Sequence, residues 1–316
     1  QAAESVERRR TSELIPRGRK HRSRLSGWPF GGQNVQHTIR RSPDAQSNRH
    51  QEMSESPSGP ALSAFNWGMV TRSLARPYRV PVSMILLFAL VPFYVLIPEF
   101  LPPRTRHVPE LPLDRALPLV PSWAIVYGVL YLFLILLPIF VVRQDELIRR
   151  TVYAYLLIWI TAYVFFFVVY PTAAPRPDKV SGEGFAVWGL RALYSSDPPY
   201  NCFPSLHVAH SFVSALACSR VHRRLGIIAM ISATLVAFSA LFTKQHYVLD
   251  LVAGVFLAFV AYGIFLRRYS SDQISEFDRR VAPALALCVS AVVAVGLATS
   301  WLAYIWGGET QFTFGP

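Results

Sequence analysis

Runs of about 20 apolar residues recur along this chain, and no other feature limits its fold so tightly. A run of that length spans the hydrocarbon core of a bilayer as a helix. In lipid, a spanning segment must satisfy its own backbone hydrogen bonds, which leaves helices and closed barrels. Seven apolar segments follow one another, at about Val80–Leu101, Ser122–Val142, Thr151–Tyr170, Pro204–Cys218, Leu225–Phe242, Tyr247–Leu266 and Val281–Trp306. Connectors containing Gly, Pro or Arg part them, and the fourth segment is short. Composition agrees: of 316 residues, 52% are hydrophobic and 16% charged, with a mean hydropathy of +0.32. The reading is an all-α, polytopic transmembrane helix bundle, with Pro92, Pro138 and Pro283 placed to kink helices.

The net charge of +12 has to be placed before it can be interpreted. Arg76 and Arg79 precede the first segment, and Arg143, Arg149 and Arg150 separate the second from the third. Arg220, Arg223 and Arg224 separate the fourth from the fifth, and Arg267, Arg268, Arg279 and Arg280 follow the sixth. The other connectors mix their cations with acids. By the positive-inside rule this alternation predicts a multi-pass cell-membrane protein with a cytoplasmic N-terminus and an outer C-terminus. Trp123, Trp301, Tyr304 and Trp306 then form an aromatic belt at the outer interface. The basic charge is thus a topology signal, and membrane lipids rather than nucleic acid are the expected partners. Nothing in the sequence specifies an oligomeric state.

Residues 1–72 read as a basic, disordered tail, with Arg8-Arg-Arg10 and Arg17-Gly-Arg-Lys20 in reach of anionic headgroups. The tail has no apolar signal-peptide core. The chain opens on Gln, and Met53 precedes a more ordinary start, so the first 52 residues read as upstream sequence. Residues 73–316 are the expected membrane-embedded domain. Cys202, Cys218 and Cys288 fall in different segments, with no disulfide framework or metal cluster visible.

Three polar clusters fall on the predicted outer face. Tyr170-Pro-Thr-Ala-Ala-Pro-Arg-Pro177 holds Arg176 between two prolines. Its planar fork suits either a phosphate or lipid headgroups. In Asn201-Cys-Phe-Pro-Ser-Leu-His207, Pro204 suits a first helical turn, whose free N–H groups and Ser205 hydroxyl suit an anion. His207 stands one turn in, placed to move a proton. In Thr243-Lys-Gln-His-Tyr-Val-Leu-Asp250, His246 and Asp250 share one helical face. A carboxylate in an apolar run costs roughly 2.5–3.5 kcal/mol on insertion scales. The pair is either a nucleophile with its orienting acid or a structural lock. A zinc site is disfavoured because Arg176 and Lys244 favour an anion over a cation. The loop 171–203 is long, and Phe185–Tyr194 within it has the pattern of an amphipathic surface helix.

The order Arg-Pro, Pro-Ser-x-His, His-x-x-x-Asp resembles the type-2 phosphatidic acid phosphatase superfamily, in particular its inositol phosphorylceramide synthase-like branch. The resemblance implies a six-helix core over about 80–268 with one extra helix over about 281–306. It implies that His246 is the nucleophile, that Asp250 orients it, and that His207 protonates the leaving alcohol and then activates water. Arg176, Ser205 and Lys244 would bind the phosphate of a lipid phosphate, with no metal and no cofactor. Val169 replaces the family's usual Lys, Leu206 its usual Gly, and Ala240 its usual Arg. Lys244 stands either as a replacement cation or as an interfacial anchor. A lipid phosphate phosphatase, a lipid phosphotransferase and a non-catalytic protein with a structural His–Asp pair are the functions this sequence allows.

Overall fold

The computed structural model describes residues 67–74, 90–94, 106–197 and 199–307. Residues 1–66 of the basic tail and most of the first apolar segment lie outside the described residues; residues 67–72, expected to belong to the disordered tail, are helical. The described chain is helical, with no β-structure beyond isolated bridges. After a short helix α1 (Trp67–Leu74) and a single turn α2 (Pro112–Ala116) come two long helices. These are α3 (Trp123–Val141) and α4 (Asp145–Val164), and α4 ends in a π turn, Phe165–Val169. Helix α5 (Phe185–Ser196) lies in the long loop, followed by α6 (Leu206–Val221) and α7 (Arg223–Phe242). Helix α8 (Val248–Ala261) continues into a second π turn, Tyr262–Leu266, and α9 (Glu276–Gly307) closes the chain. Five of these elements are long and apolar enough to cross a membrane: α3, α4 with its π turn, α7, α8 with its π turn, and α9. The protein is a multi-pass helical membrane protein.

The short fourth segment is the hub. A helix apolar on every side is buried on every side, and α6 packs against α3, α4, α7 and α8. Of its 16 residues, 13 are buried. Ala209, Ser211, Ser214, Ala215 and Ala217 keep its surface thin, so neighbouring backbones approach closely, as small residues allow in membrane bundles. The turn from α6 to α7 is a single residue, His222, whose Nδ1 accepts from the Leu225 N–H at 3.2 Å. A Cβ on Gly226 would lie 2.4 Å from the Ser219 Cα, so only glycine fits this corner.

The two ends of the bundle differ in chemistry. At one end Arg143 binds Ser73 and Arg150 donates to the Phe265 carbonyl at 3.1 Å. Arg220 donates to Tyr262 and the Arg267 carbonyl, and Gln144 donates to Asp278 at 2.7 Å. At the other end the Val120 N–H donates to the Phe242 carbonyl, and Trp123 stacks on Phe242 at 5.0 Å. There Phe185 and Trp188 of α5 pack on Tyr304 of α9. The arginine flanks thus gather at one end and the aromatic belt at the other.

Boundaries moved where charges were read as helix ends. Helix α4 begins six residues before the expected Thr151, with Asp145 and Glu146 in its first turn. Arg149 and Arg150 lie inside the helix and pair with Glu146. Pro204 is not in the first turn of α6: the Phe203–Pro204 peptide is cis, Ser205 is the N-cap and the helix starts at Leu206.

Candidate active site

Three short segments build the site at the aromatic end. The first is the start of α6. The Ser205 N–H donates to the Asp250 carbonyl at 3.0 Å, tying the start of α6 to the start of α8. Its hydroxyl accepts from the Val208 N–H at 3.4 Å, which caps the helix it precedes. Such contact requires a bare backbone opposite: a Cβ on Gly254 would lie 2.5 Å from the Ser205 carbonyl oxygen. His207, one residue into the helix, is half-buried. Tyr127 and Tyr131 surround it at ring distances of 5.4 and 4.8 Å.

The second segment wraps the end of α7. Gln245 and His246 both donate backbone N–H groups to the Ala240 carbonyl. The wrap needs one left-handed residue, and Lys244 supplies it at φ 53°, a conformation uncommon outside glycine. Lys244 Nζ donates to the Asp114 carbonyl at 2.8 Å, while Asp114 Oδ1 accepts from the Val248 N–H at 2.8 Å. Helix α2 thereby clamps the turn and caps α8. His246 is 3% exposed, and its Nδ1 lies 3.4 Å from Asp250 Oδ2, which accepts the Tyr247 N–H at 2.8 Å. Both His246 nitrogens and Asp250 Oδ1 are buried without a hydrogen-bond partner. The His207 and His246 rings meet edge-on, their centroids 5.8 Å apart.

The third segment is the loop around α5. Arg176 Nη1 donates to the Asp197 and Tyr194 carbonyls at 2.7 and 3.0 Å. Its Nη2 donates to the Asp197 carboxylate at 3.3 Å and to Gln245. The guanidinium also lies over the Tyr194 ring at 4.8 Å. The Tyr194 hydroxyl donates to the Thr243 carbonyl, and burial pushes its pKa up to about 12. Gly184, at φ 104°, starts α5, and Arg191 binds the Val180 and Gly182 carbonyls. Tyr94 donates to Asp197 at 2.8 Å.

From His207 a cavity of about 460 Å³ leads into the bundle between α3, α4 and α6. Its mouth carries Asp197, Ser196 and Tyr94, and its walls carry Tyr131, Ile135, Ile139 and Trp159. Tyr127 and Ile139 both line it, so it follows α3 for about 18 Å at 1.5 Å per residue. His210 also lines it, stacked on Tyr155 at 4.4 Å, a packing role rather than a second acid.

The structure therefore brings His207, His246 and Asp250 together, with Ser205 behind them and Arg176 tied through Gln245 to the same turn. It does not bring Lys244 in: its ammonium is committed to Asp114. The family pattern described as the PAP2 superfamily matches residues 106–264, half of the chain, and contains all of these residues. The chain belongs to the PAP2 superfamily.

A curated relative, the PA-phosphatase related-family protein of Dictyostelium discoideum, is 26% identical over 111 residues, or 31% of this chain. The chain covers 20% of that protein's length. No solved structure matches the chain significantly. The PAP2 assignment covers the superfamily; the narrower inositol phosphorylceramide synthase-like branch is not singled out by these matches.

Within this PAP2 chain, sequence reasoning missed Gly254 and Asp114 as parts of the site. Gly254 carried a signal, since it lies one turn beyond Asp250 on the same face of α8. Asp114 carried none, because its partner Val248 is 134 residues away.

Proposed function

We propose that this PAP2 protein is a membrane-embedded lipid phosphate phosphatase, working at the outer face through a phosphohistidine on His246. The observation that carries the reading is that one residue, His207, belongs both to the polar pair and to the apolar cavity. A phosphate between the two imidazoles puts its ester oxygen at His207 and its alkyl chain in the slot. The cavity lies within the 300–1,000 Å³ of ligand pockets, and its length along α3 exceeds half the roughly 30 Å hydrocarbon core.

In the first step a His246 nitrogen attacks phosphorus, forming the N–P bond as the P–O bond to the alcohol breaks. Asp250 holds the other ring nitrogen, and His207 gives its proton to the departing alkoxide. In the second step His207 takes a proton from water, whose oxygen displaces His246 and releases inorganic phosphate. Arg176 faces the phosphoryl oxygens after exchanging the Asp197 carboxylate for them, and the first-turn N–H groups of α6 add positive potential. The aromatic end of the bundle is then the outer face, and residues 73–316 are the catalytic domain.

A phosphotransferase is the second reading. Asn201 Oδ1 and Gln245 Nε2 are buried beside the site without partners, as groups that bind an acceptor hydroxyl would be. Following labelled phosphate from a lipid phosphate separates the two: free phosphate supports hydrolysis, and a labelled phosphodiester that grows with added inositol or glycerol supports transfer.

The cavity is tested at Gly128, which lines it and where a Cβ meets nothing within 4 Å. Gly128→Phe is expected to raise KM for long-chain lipid phosphates, by about fourfold for each methylene no longer buried. Hydrolysis of a short water-soluble phosphate ester should change little. Equal loss on both substrates would mean that the slot does not hold the chain.

A further inference from the structure

One buried nucleophile beside the site has no part in this mechanism. Cys202 lies on the loop between α5 and α6, 2% exposed, with its Sγ 3.7 Å from both the Pro199 and the Gln245 carbonyl oxygens. Burial and the nearby carboxylates of Asp250 and Asp197 push its thiol pKa well above the ordinary value, so the resting side chain is neutral. Its sulfur, one nitrogen of His246 and one carboxylate oxygen of Asp250 all lie within 4.8 Å of one another.

That triangle is incomplete as a hydrogen-bonded cluster. Both His246 nitrogens and Asp250 Oδ1 are buried without a hydrogen bond, and His246 Nδ1 meets Asp250 Oδ2 only as a 3.4 Å ion pair, so three lone-pair donors converge on one small volume. Sulfur, imidazole and carboxylate together are the ligand set of zinc, which binds them at about 2.3, 2.0–2.1 and 2.0–2.2 Å. Ligands at those lengths around a tetrahedral ion stand about 3.4–3.6 Å apart, so the three atoms, within 4.8 Å of one another, close by at most about 1.4 Å on binding. The cations that would oppose an incoming metal are engaged elsewhere: Arg176 pairs with Asp197, and Lys244 donates to the Asp114 carbonyl.

We propose that Cys202, His246 and Asp250 form an inhibitory site for a zinc-class divalent cation. On binding, the Cys202 thiol gives its proton to solvent, and the metal takes one sulfur, one nitrogen and one oxygen ligand. The fourth position is left for water or an anion. Thiolate and carboxylate together balance the charge of the ion. The ligation itself depends only on the geometry. The inhibition rests on the phosphohistidine reading, because a metal held there takes either a His246 nitrogen or its Asp250 partner away from the phosphoryl group.

The test uses the full chain in detergent with Co²⁺ and Zn²⁺ as probes. One Co²⁺ per chain is expected to give tetrahedral d–d bands and a thiolate-to-metal band in the near ultraviolet, both displaced by Zn²⁺. Cys202→Ala and Cys202→Ser should lose the thiolate band and weaken Zn²⁺ binding by at least about tenfold. The same bands should survive Cys218→Ala and Cys288→Ala. Zn²⁺ should inhibit lipid phosphate hydrolysis reversibly, with EDTA restoring it, and the Cys202 variants should keep basal turnover while resisting Zn²⁺. A wild-type Co²⁺ complex without a thiolate band, or equal inhibition of wild type and both Cys202 variants, would overturn the proposal. If the chain hydrolyses no lipid phosphate, the Co²⁺ spectrum of wild type against Cys202→Ser still decides the site. The phosphatase reading would then fail alone.

Discussion

At the scale of the residue, the proposed mechanism depends on two imidazoles 5.8 Å apart and the carboxylate behind one of them. A positioned acid–base group is typically worth about 10²–10⁴-fold, so His207→Ala and His246→Ala should each lower kcat by that order without unfolding the chain. Normal turnover in either variant would remove that residue from the mechanism. Asp197 has the opposite effect on anion affinity. In the proposed mechanism a phosphate displaces its carboxylate, which is 12% exposed and 3.3 Å from Arg176. Asp197→Asn should therefore tighten orthovanadate inhibition by about fivefold, the upper range for an ion pair that is not fully buried; weaker inhibition would mean that Asp197 positions Arg176 rather than competing for it. His207, His246, Asp250, Arg176 and Ser205 were legible because motif order and helical spacing name them. The bond from Lys244 to Asp114 was not legible, because its direction is set by a left-handed φ of 53° and a carbonyl 130 residues away. Neither feature has a pattern in the sequence around it.

At the scale of the element, two glycines make a controlled comparison. A Cβ at Gly254 collides with the Ser205 carbonyl, where α8 crosses the start of α6 at the site. A Cβ at Gly226 collides with Ser219 at the far corner between α6 and α7. Overpacking of this kind costs about 1–3 kcal/mol, so Gly254→Ala and Gly226→Ala should both lower Tm. Only Gly254→Ala is expected to lose activity out of proportion to stability, because it moves the Ser205 turn away from Asp250. Parallel losses in both variants would make the α6–α8 contact merely structural. The long helices were legible from apolar length alone, since lipid leaves little else for such a run to become. Their ends were not. The start of α4 was hidden because Arg149 and Arg150 pair with Glu146 along the helix instead of ending it. The start of α6 was displaced because Ser205, not Pro204, takes the cap.

At the scale of the whole molecule, alternating charge became a spatial separation: the span-flanking Arg143, Arg150 and Arg220 at one end, the aromatic belt and the site with its Arg176 at the other. The positive-inside rule predicts that the arginine end is cytoplasmic. Single cysteines at the exposed positions Lys179 and Arg224, with Cys288 replaced, report the two ends separately. An impermeant thiol reagent applied to intact cells should label Lys179→Cys and spare Arg224→Cys. The reverse pattern would turn the site to the cytoplasm. Bundle class and helix order were legible from hydropathy, but the central position of α6 was not. Its shortness pointed to polar work at one end; that it is surrounded by four helices follows from small residues whose partners lie in other segments.

The most direct measurement is to capture the covalent intermediate. Lipid phosphate labelled on phosphorus is mixed with the full chain, with EDTA present, and quenched in alkali within a turnover. The expected result is label on the protein, stable to base and lost in mild acid, in a peptide containing His246, and absent from His246→Ala. Phosphate release in which no label ever reaches the protein, or label that persists in His246→Ala, would contradict a phosphohistidine at this site.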